Sequence, residues 1–176
     1  ERVIHGQHQP GDDVRQRLVE HQRLAIATAV GVEVLSLGDA SRVLRIPSAT
    51  VVKATAFSSD GARVGHVYAG PTTQVEVHDV TTGERVFETE IEEAFNRRMA
   101  SLLGGRWLLA PAMGRLSIRD ARGRLWWTES GTALRDTIDL AVARDRRTAF
   151  VLSGSGHDLA RVDLGDVPAT TSVANI

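Results

Sequence analysis

Residues 74–84 read Gln74-Val75-Glu76-Val77-His78-Asp79-Val80-Thr81-Thr82-Gly83-Glu84. Apolar and polar side chains alternate through Val80, as on a strand with one face buried. Thr81-Thr82-Gly83-Glu84 then turns the chain, and Arg85 to Ile91 alternates again. Upstream, Val51 to Phe57 is an apolar run that ends in Ser58-Ser59-Asp60-Gly61. Asp-Gly is a strong hairpin signal, because glycine accepts positive φ. Arg63 to Tyr68 supplies a further strand, and Gly70-Pro71-Thr72-Thr73 a loop. The stretch predicts four antiparallel strands in roughly 40 residues, the size of one propeller blade.

The pattern recurs along the chain. Val32-Glu33-Val34-Leu35-Ser36-Leu37, Leu116-Ser117-Ile118-Arg119-Asp120-Ala121 and Leu159-Ala160-Arg161-Val162-Asp163-Leu164 align with Val75 to Val80. The corresponding positions Ser36, Asp79, Asp120 and Asp163 are spaced by 43, 41 and 43 residues. The third unit reads as Met99 to Leu103, Trp107 to Met113, Leu116 to Ala121 and Leu125 to Glu129. The fourth reads as Thr137 to Ala143, Thr148 to Leu152 and Leu159 to Leu164, with an outer strand from either Thr170 to Ile176 or Glu1 to His5. The first reads as Leu24 to Val30, Val32 to Leu37 and Arg42 to Ile46. Its opening strand falls in Val14 to Glu20, a stretch that also fits a short helix, as does Ile91 to Asn96.

These residues resemble the WD-repeat propeller family. Phe57-Ser58-Ser59-Asp60-Gly61 is similar to that family's first hairpin. His78-Asp79-Val80-Thr81-Thr82-Gly83-Glu84 is similar to the end of its third strand and the turn beyond. His78 and Arg119 stand where the family usually has tryptophan before the aspartate, and Ser36 stands for the aspartate itself. A looser relative, of the quinoprotein-like or lactonase-like propellers, fits these departures equally. The expected fold is an all-β propeller of about four four-stranded antiparallel blades. It is either an arc of a larger ring or a small closed ring. The expected organisation is an N-terminal segment or closing strand over 1–23, blades over 24–168 and a C-terminal tail or closing strand over 169–176.

Composition bounds the function. The chain has 176 residues, 42% hydrophobic and 24% charged, enough to bury a real core. Its net charge of −1 gives no general drive toward nucleic acid, and no apolar run approaches the length of a membrane helix, so neither partner is expected. There is no cysteine, which excludes disulfides and thiolate metal sites. Lys53 is the only lysine among 21 basic residues. The arginines are scattered among all the repeats, which reads as codon usage rather than a phosphate-binding patch.

Few residues carry a chemical signal. His5 and His8 are three apart but lack the further ligands of a zinc site. Ser155, His157 and Asp158 lie within four residues, too close to form the line of a hydrolytic triad. Asp79, Asp120 and Asp163 recur beside turns and are expected to accept backbone amides there. No catalytic residue, cofactor or metal site is expected. The candidate partner-binding residues are Arg97, Arg98, Trp126, Trp127, Arg146 and Arg147. The arginines fall in segments read as rim loops. The tryptophans are neighbours on an outer strand, so one packs into the blade and the other either packs against a neighbour or is exposed as a partner contact. Ala27, Ala54, Ala56, Leu109, Val142, Val151 and Leu152 are expected in buried strands. The expected function is a non-catalytic protein-interaction scaffold within a larger protein or complex. The partner is another protein or the remainder of a larger propeller. The alternative is a propeller enzyme or a small-ligand or metal sensor with a site in the central channel, for which Lys53, His66, Asp136 and Asp139 are candidates.

Overall fold

The computed structural model describes residues 16–20, 22–28, 30–69, 72–91, 96–111, 113–129, 134–135, 137–154, 158–165 and 169–175. Four antiparallel sheets follow one another along the chain. The first is β1 (Gln16–Glu20), β2 (Arg23–Thr28), β3 (Gly31–Ser36) and β4 (Arg42–Pro47). The second is β5 (Val51–Phe57), β6 (Arg63–Ala69), β7 (Thr73–Asp79) and β8 (Arg85–Ile91). The third is β9 (Asn96–Ser101), β10 (Trp107–Pro111), β12 (Ser117–Arg119) and β13 (Leu125–Thr128). Beside it β11 (Met113–Gly114) pairs with β14 (Leu134–Arg135). The fourth is β15 (Asp139–Val142), β16 (Thr148–Ser153), β17 (Asp158–Asp163) and β18 (Ala169–Asn175). Each of the four is a meander in sequence order, and the first strands touch in succession: β1 meets β5, β5 meets β9 and β9 meets β15. These are consecutive propeller blades with the opening strand of each innermost.

Three cores hold the blades together, one at each seam. Ala25, Ala27, Val32, Val34 and Ile46 of the first blade meet Val52, Phe57, Val64, Tyr68 and Val80 of the second. Val67, Val75, Val77 and Phe87 of the second meet Met99, Trp107 and Leu109 of the third. Leu102, Leu108, Ala110, Leu116 and Ile118 of the third meet Ala149, Val151, Val162 and Leu164 of the fourth. An inner blade therefore buries both faces of its sheet. That is why β10 reads as an uninterrupted apolar run instead of alternating: Trp107 and Leu109 point to one seam, Leu108 and Ala110 to the other. Burying one such side chain contributes about 1.5–3 kcal/mol.

Two of the recurring aspartates cap turns as expected, whereas Asp163 stands 3.4 Å from Arg161 Nη2 and residues 166–168 beyond it lie outside those described. Asp79 Oδ1 accepts the amides of Thr81 and Thr82 at 2.8 and 2.9 Å, and Gly83 takes a φ of 75°. Asp120 Oδ1 accepts those of Arg122 and Arg124, both at 2.9 Å. In the first blade Ser36 and Asp39 share the task. Ser36 Oγ accepts the Gly38 amide at 3.3 Å, and Asp39 Oδ1 that of Ser41 at 3.1 Å. In the first hairpin of the second blade, the Ser58 hydroxyl donates to Asp60 Oδ1 at 2.6 Å while Asp60 accepts the Ala62 amide.

The structure decides between open readings of the sequence at some places and departs from it at others. Residues 16–20 form the expected opening strand, paired with β2. Ile91 ends β8 and Asn96 opens β9, and residues 92–95 lie outside those described. Arg97 and Arg98 lie in β9, not in a loop. The third strand of the third blade stops at Arg119, because Asp120 already belongs to the turn it caps. The fourth blade's outer strand is the C-terminal segment, paired along β17, whereas Glu1 to His5 lies outside the described residues. Ala27, Ala54, Ala56, Leu109 and Val151 are buried, but Val142 and Leu152 are only half-buried. Leu152 shares the far face of β16 with exposed Phe150, opposite the face that Ala149 and Val151 press into the third seam.

Candidate functional site

At the third seam the apolar core opens to the surface as a cleft of about 320 Å³. It lies at the end of the sheets where β9 turns into β10 and β15 into β16. Leu102, Ile118 and Leu164 form its base, and Leu103, Arg106, Trp126, Arg146 and Arg147 its sides. The positions follow from local structure. Leu103–Gly105 is a single 3-10 turn that lifts Leu103 to 48% exposure and brings Arg106 onto β13. The Arg106 guanidinium then sits 4.0 Å from the ring centroid of Trp126, a cation–π contact. Trp126 is 39% exposed, while its neighbour Trp127 packs against the third core. The alternation of the strand separates the two rings.

Arg146 closes the opposite side. Its φ is 57°, a left-handed conformation that costs a side-chain-bearing residue about 1–2 kcal/mol. It is held there because its Nη1 donates to the carbonyl and the hydroxyl of Ser101, both at 3.1 Å, across the seam. Arg147 is exposed beside it, its amide held by Asp145 Oδ1 at 2.9 Å. Among the described residues, no acidic side chain lines the cleft.

The sequence-predicted partner residues thus divide. Trp126, Arg146 and Arg147 converge on one cleft. Trp127 supports it from the core side. Arg98 lies elsewhere, on an inner strand, with its Nε 3.4 Å from Asp139 Oδ1 of the next inner strand. The side chain of Arg97 lies outside what is described. Arg106 and Leu103 were missed: each reads as ordinary turn polarity or a strand end until the 3-10 turn is seen.

The described channel candidates do not gather. Lys53 and Asp139 are exposed on different inner strands. Asp136 is not among the described residues, nor are His5, His8, Ser155 and His157. His66 is instead wholly buried on β6, the second strand of its blade, facing Glu76 and His78 of β7. The two facing imidazoles, His66 foremost, hold the Glu76 carboxyl well below the usual range, and burial pushes the His66 pKa down. Desolvation raises the Tyr68 hydroxyl, 3.5 Å from Glu76 Oε2.

No protein-family model matches the sequence, and no curated protein does. Solved structures do. The chain is similar to the WD40 domain of Neurospora crassa Pan2, with a TM-score of 0.70 at 16% identity over 92% of this chain and 52% of that one. It is similar to the WD40 domain of Toxoplasma gondii coronin, with a TM-score of 0.71 at 10% identity over 92% of this chain and 45% of that one. A functionally unknown protein from Desulfotomaculum acetoxidans gives a TM-score of 0.75 at 12% identity over 94% and 57%. The likeness shows a propeller fold, and the chain spans about half the length of these structures.

Proposed function

We propose that this chain is a non-catalytic propeller module of the WD-repeat kind, and that the cleft at its third seam recognises an acidic segment of a partner protein. One observation carries the reading: an exposed tryptophan and three arginines surround an apolar floor, with no carboxylate among the described lining residues. Tryptophan and arginine are the residue types that dominate binding hot spots. Arg106 and Arg146 are already oriented, one on the Trp126 ring and one on Ser101, so less side-chain freedom is lost on binding. A carboxylate entering the cleft would meet guanidinium forks suited to bidentate contacts. The floor of Leu102, Ile118 and Leu164 suits an apolar side chain next to it in the ligand. The WD40 domains named above share the fold.

Selection of peptides from a random displayed library against the full chain tests this. The expected binders combine Asp or Glu with an adjacent apolar residue, weaken as salt is raised, and lose at least tenfold in affinity on Trp126→Ala or Arg147→Glu. Binders without acidic residues, or with affinities those variants leave intact, would contradict the proposal.

A further inference from the structure

The first seam contains a polar cluster that the scaffold role does not use. β6 and β7 pair antiparallel with His66 opposite Glu76 and Val64 opposite His78. Residues two apart on a strand share a face. His66, Glu76 and His78 therefore stand on one face of the second blade, the face on which Val64 and Tyr68 join the first core. His66 Nε2 is 3.5 Å and His78 Nε2 is 3.0 Å from the same oxygen, Glu76 Oε2. The two imidazoles stack, with centroids 5.1 Å apart.

The hydrogen bonding around these groups is incomplete in a particular way. His78 Nδ1 lies 3.3 Å from the Gly83 carbonyl, which can only accept, so Nδ1 carries the proton. In the neutral ring that leaves a lone pair on Nε2, aimed at a carboxylate oxygen that also only accepts. A positive centre between them is what the geometry calls for. His66 is fully buried, and among the described residues neither of its ring nitrogens completes a hydrogen bond, its Nε2 standing 3.5 Å from Glu76 Oε2. A proton on His78 would satisfy His78 and leave His66 orphaned. One metal ion facing both Nε2 atoms and Oε2 satisfies all three. A metal-bound histidine characteristically gives its other N–H to a backbone carbonyl, as His78 gives its own to Gly83. The carboxylate is fixed from behind in the same manner, with Arg85 Nη1 3.6 Å from Glu76 Oε1.

We propose that His66, Glu76 and His78 form a binding site for a divalent transition-metal ion of the zinc class, held by two imidazole nitrogens and one carboxylate oxygen. Ligand atoms at about 2.0–2.1 Å from a tetrahedral zinc stand about 3.3 Å apart. The two contacts to Glu76 bracket that separation, and all three ligand atoms lie within 4.8 Å of one another. A small closing rotation of the rings completes the set. Nitrogen and oxygen donors without thiolate suit zinc, cobalt or nickel over copper(I), and over the all-oxygen sites of calcium or magnesium. Three protein ligands leave a fourth position, and Glu76 and His78 retain 15% and 11% exposure toward which it can open. A water or a donor from a partner fills it. Because the ligands come from β6 and β7, the ion also ties these two strands of the second blade together.

The test is zinc titration of the full chain, stripped with chelator, by competition with a chromogenic chelator, alongside thermal unfolding and cobalt(II) absorption. The expected result is one zinc per chain, a raised unfolding midpoint, and cobalt d–d bands of four-coordinate intensity. His66→Ala removes a buried ring and risks unfolding. The decisive variants are therefore His78→Gln and Glu76→Gln, checked for folding by circular dichroism. Each is expected to weaken zinc at least tenfold and to abolish the cobalt bands. Absence of stoichiometric zinc in the wild type overturns the proposal. So does zinc that persists in both variants but is lost on replacing His5 and His8.

Discussion

The second and third seams share a blade yet end differently. Between the second and third blades the contact is sealed. Trp107 is wholly buried, and Gly65 lies so close that a Cβ there would stand 2.7 Å from Met99 Cε and 3.0 Å from the Trp107 ring. Between the third and fourth blades the same sheet presents Leu108, Ala110 and Ile118, but at one end the packing gives way to the cleft edged by Trp126 and arginine. A propeller can be dismantled by disturbing the first kind of seam. On the binding role proposed above, it can be silenced without being dismantled at the second.

Trp107→Ala is the strongest way to break that contrast. The ring spans the sealed seam, and its loss is expected to cost about 3–5 kcal/mol in denaturant unfolding. Leu109→Ala, beside it, is expected to cost about 2–5 kcal/mol. Near-zero values would mean that this seam is not what holds the blades. Gly65→Ala asks the opposite question, adding a methyl for which the tip of Met99 must swing aside and the Trp107 ring must shift. Overpacking of this kind costs about 1–3 kcal/mol, and a neutral result would show the seam to be loose.

At the open seam, Trp126→Ala is expected to change unfolding by no more than about 1 kcal/mol, the scale of an exposed cation–π contact. The smallest effect lies in the hairpin turn of the second blade. The Ser58 hydroxyl, then the Ala62 amide, hold the Asp60 carboxyl below its ordinary value. A depressed carboxyl stabilises the fold above the unfolded-state pKa, and that contribution fades as pH falls through the folded-state value. The gap in thermal midpoint between wild type and Asp60→Asn is therefore expected at neutral pH and to close in acid. A gap that widens on acidification would reverse the sign of the argument.

Much of this architecture was legible in the chain. Val75 and Val77 alternate with Gln74 and Glu76, Gly61 and Gly83 mark turns, and the period between Asp79 and Asp120 spaces the blades. The facing of Trp126 away from Trp127 follows from strand alternation alone. The cleft was not legible, because it depends on how Arg146 of one blade reaches Ser101 of another. Neither was the pairing of β11 with β14, whose two-residue runs are too short to show a period. The His66, Glu76 and His78 cluster lies between these cases. Its members lie within thirteen residues of one another, and the antiparallel pairing of β6 with β7 places His66 across from Glu76. Reading the register, and not only the strands, would have found it.

Radical footprinting of the three tryptophans, read by mass spectrometry with and without a selected acidic peptide, tests the contrast between seams most directly. The account predicts that Trp107 stays unlabelled in both states, whereas Trp126 is labelled in the free chain and protected in the complex. Labelling of Trp107 at the rate of Trp126, or a Trp126 that the bound peptide leaves equally reactive, would contradict it.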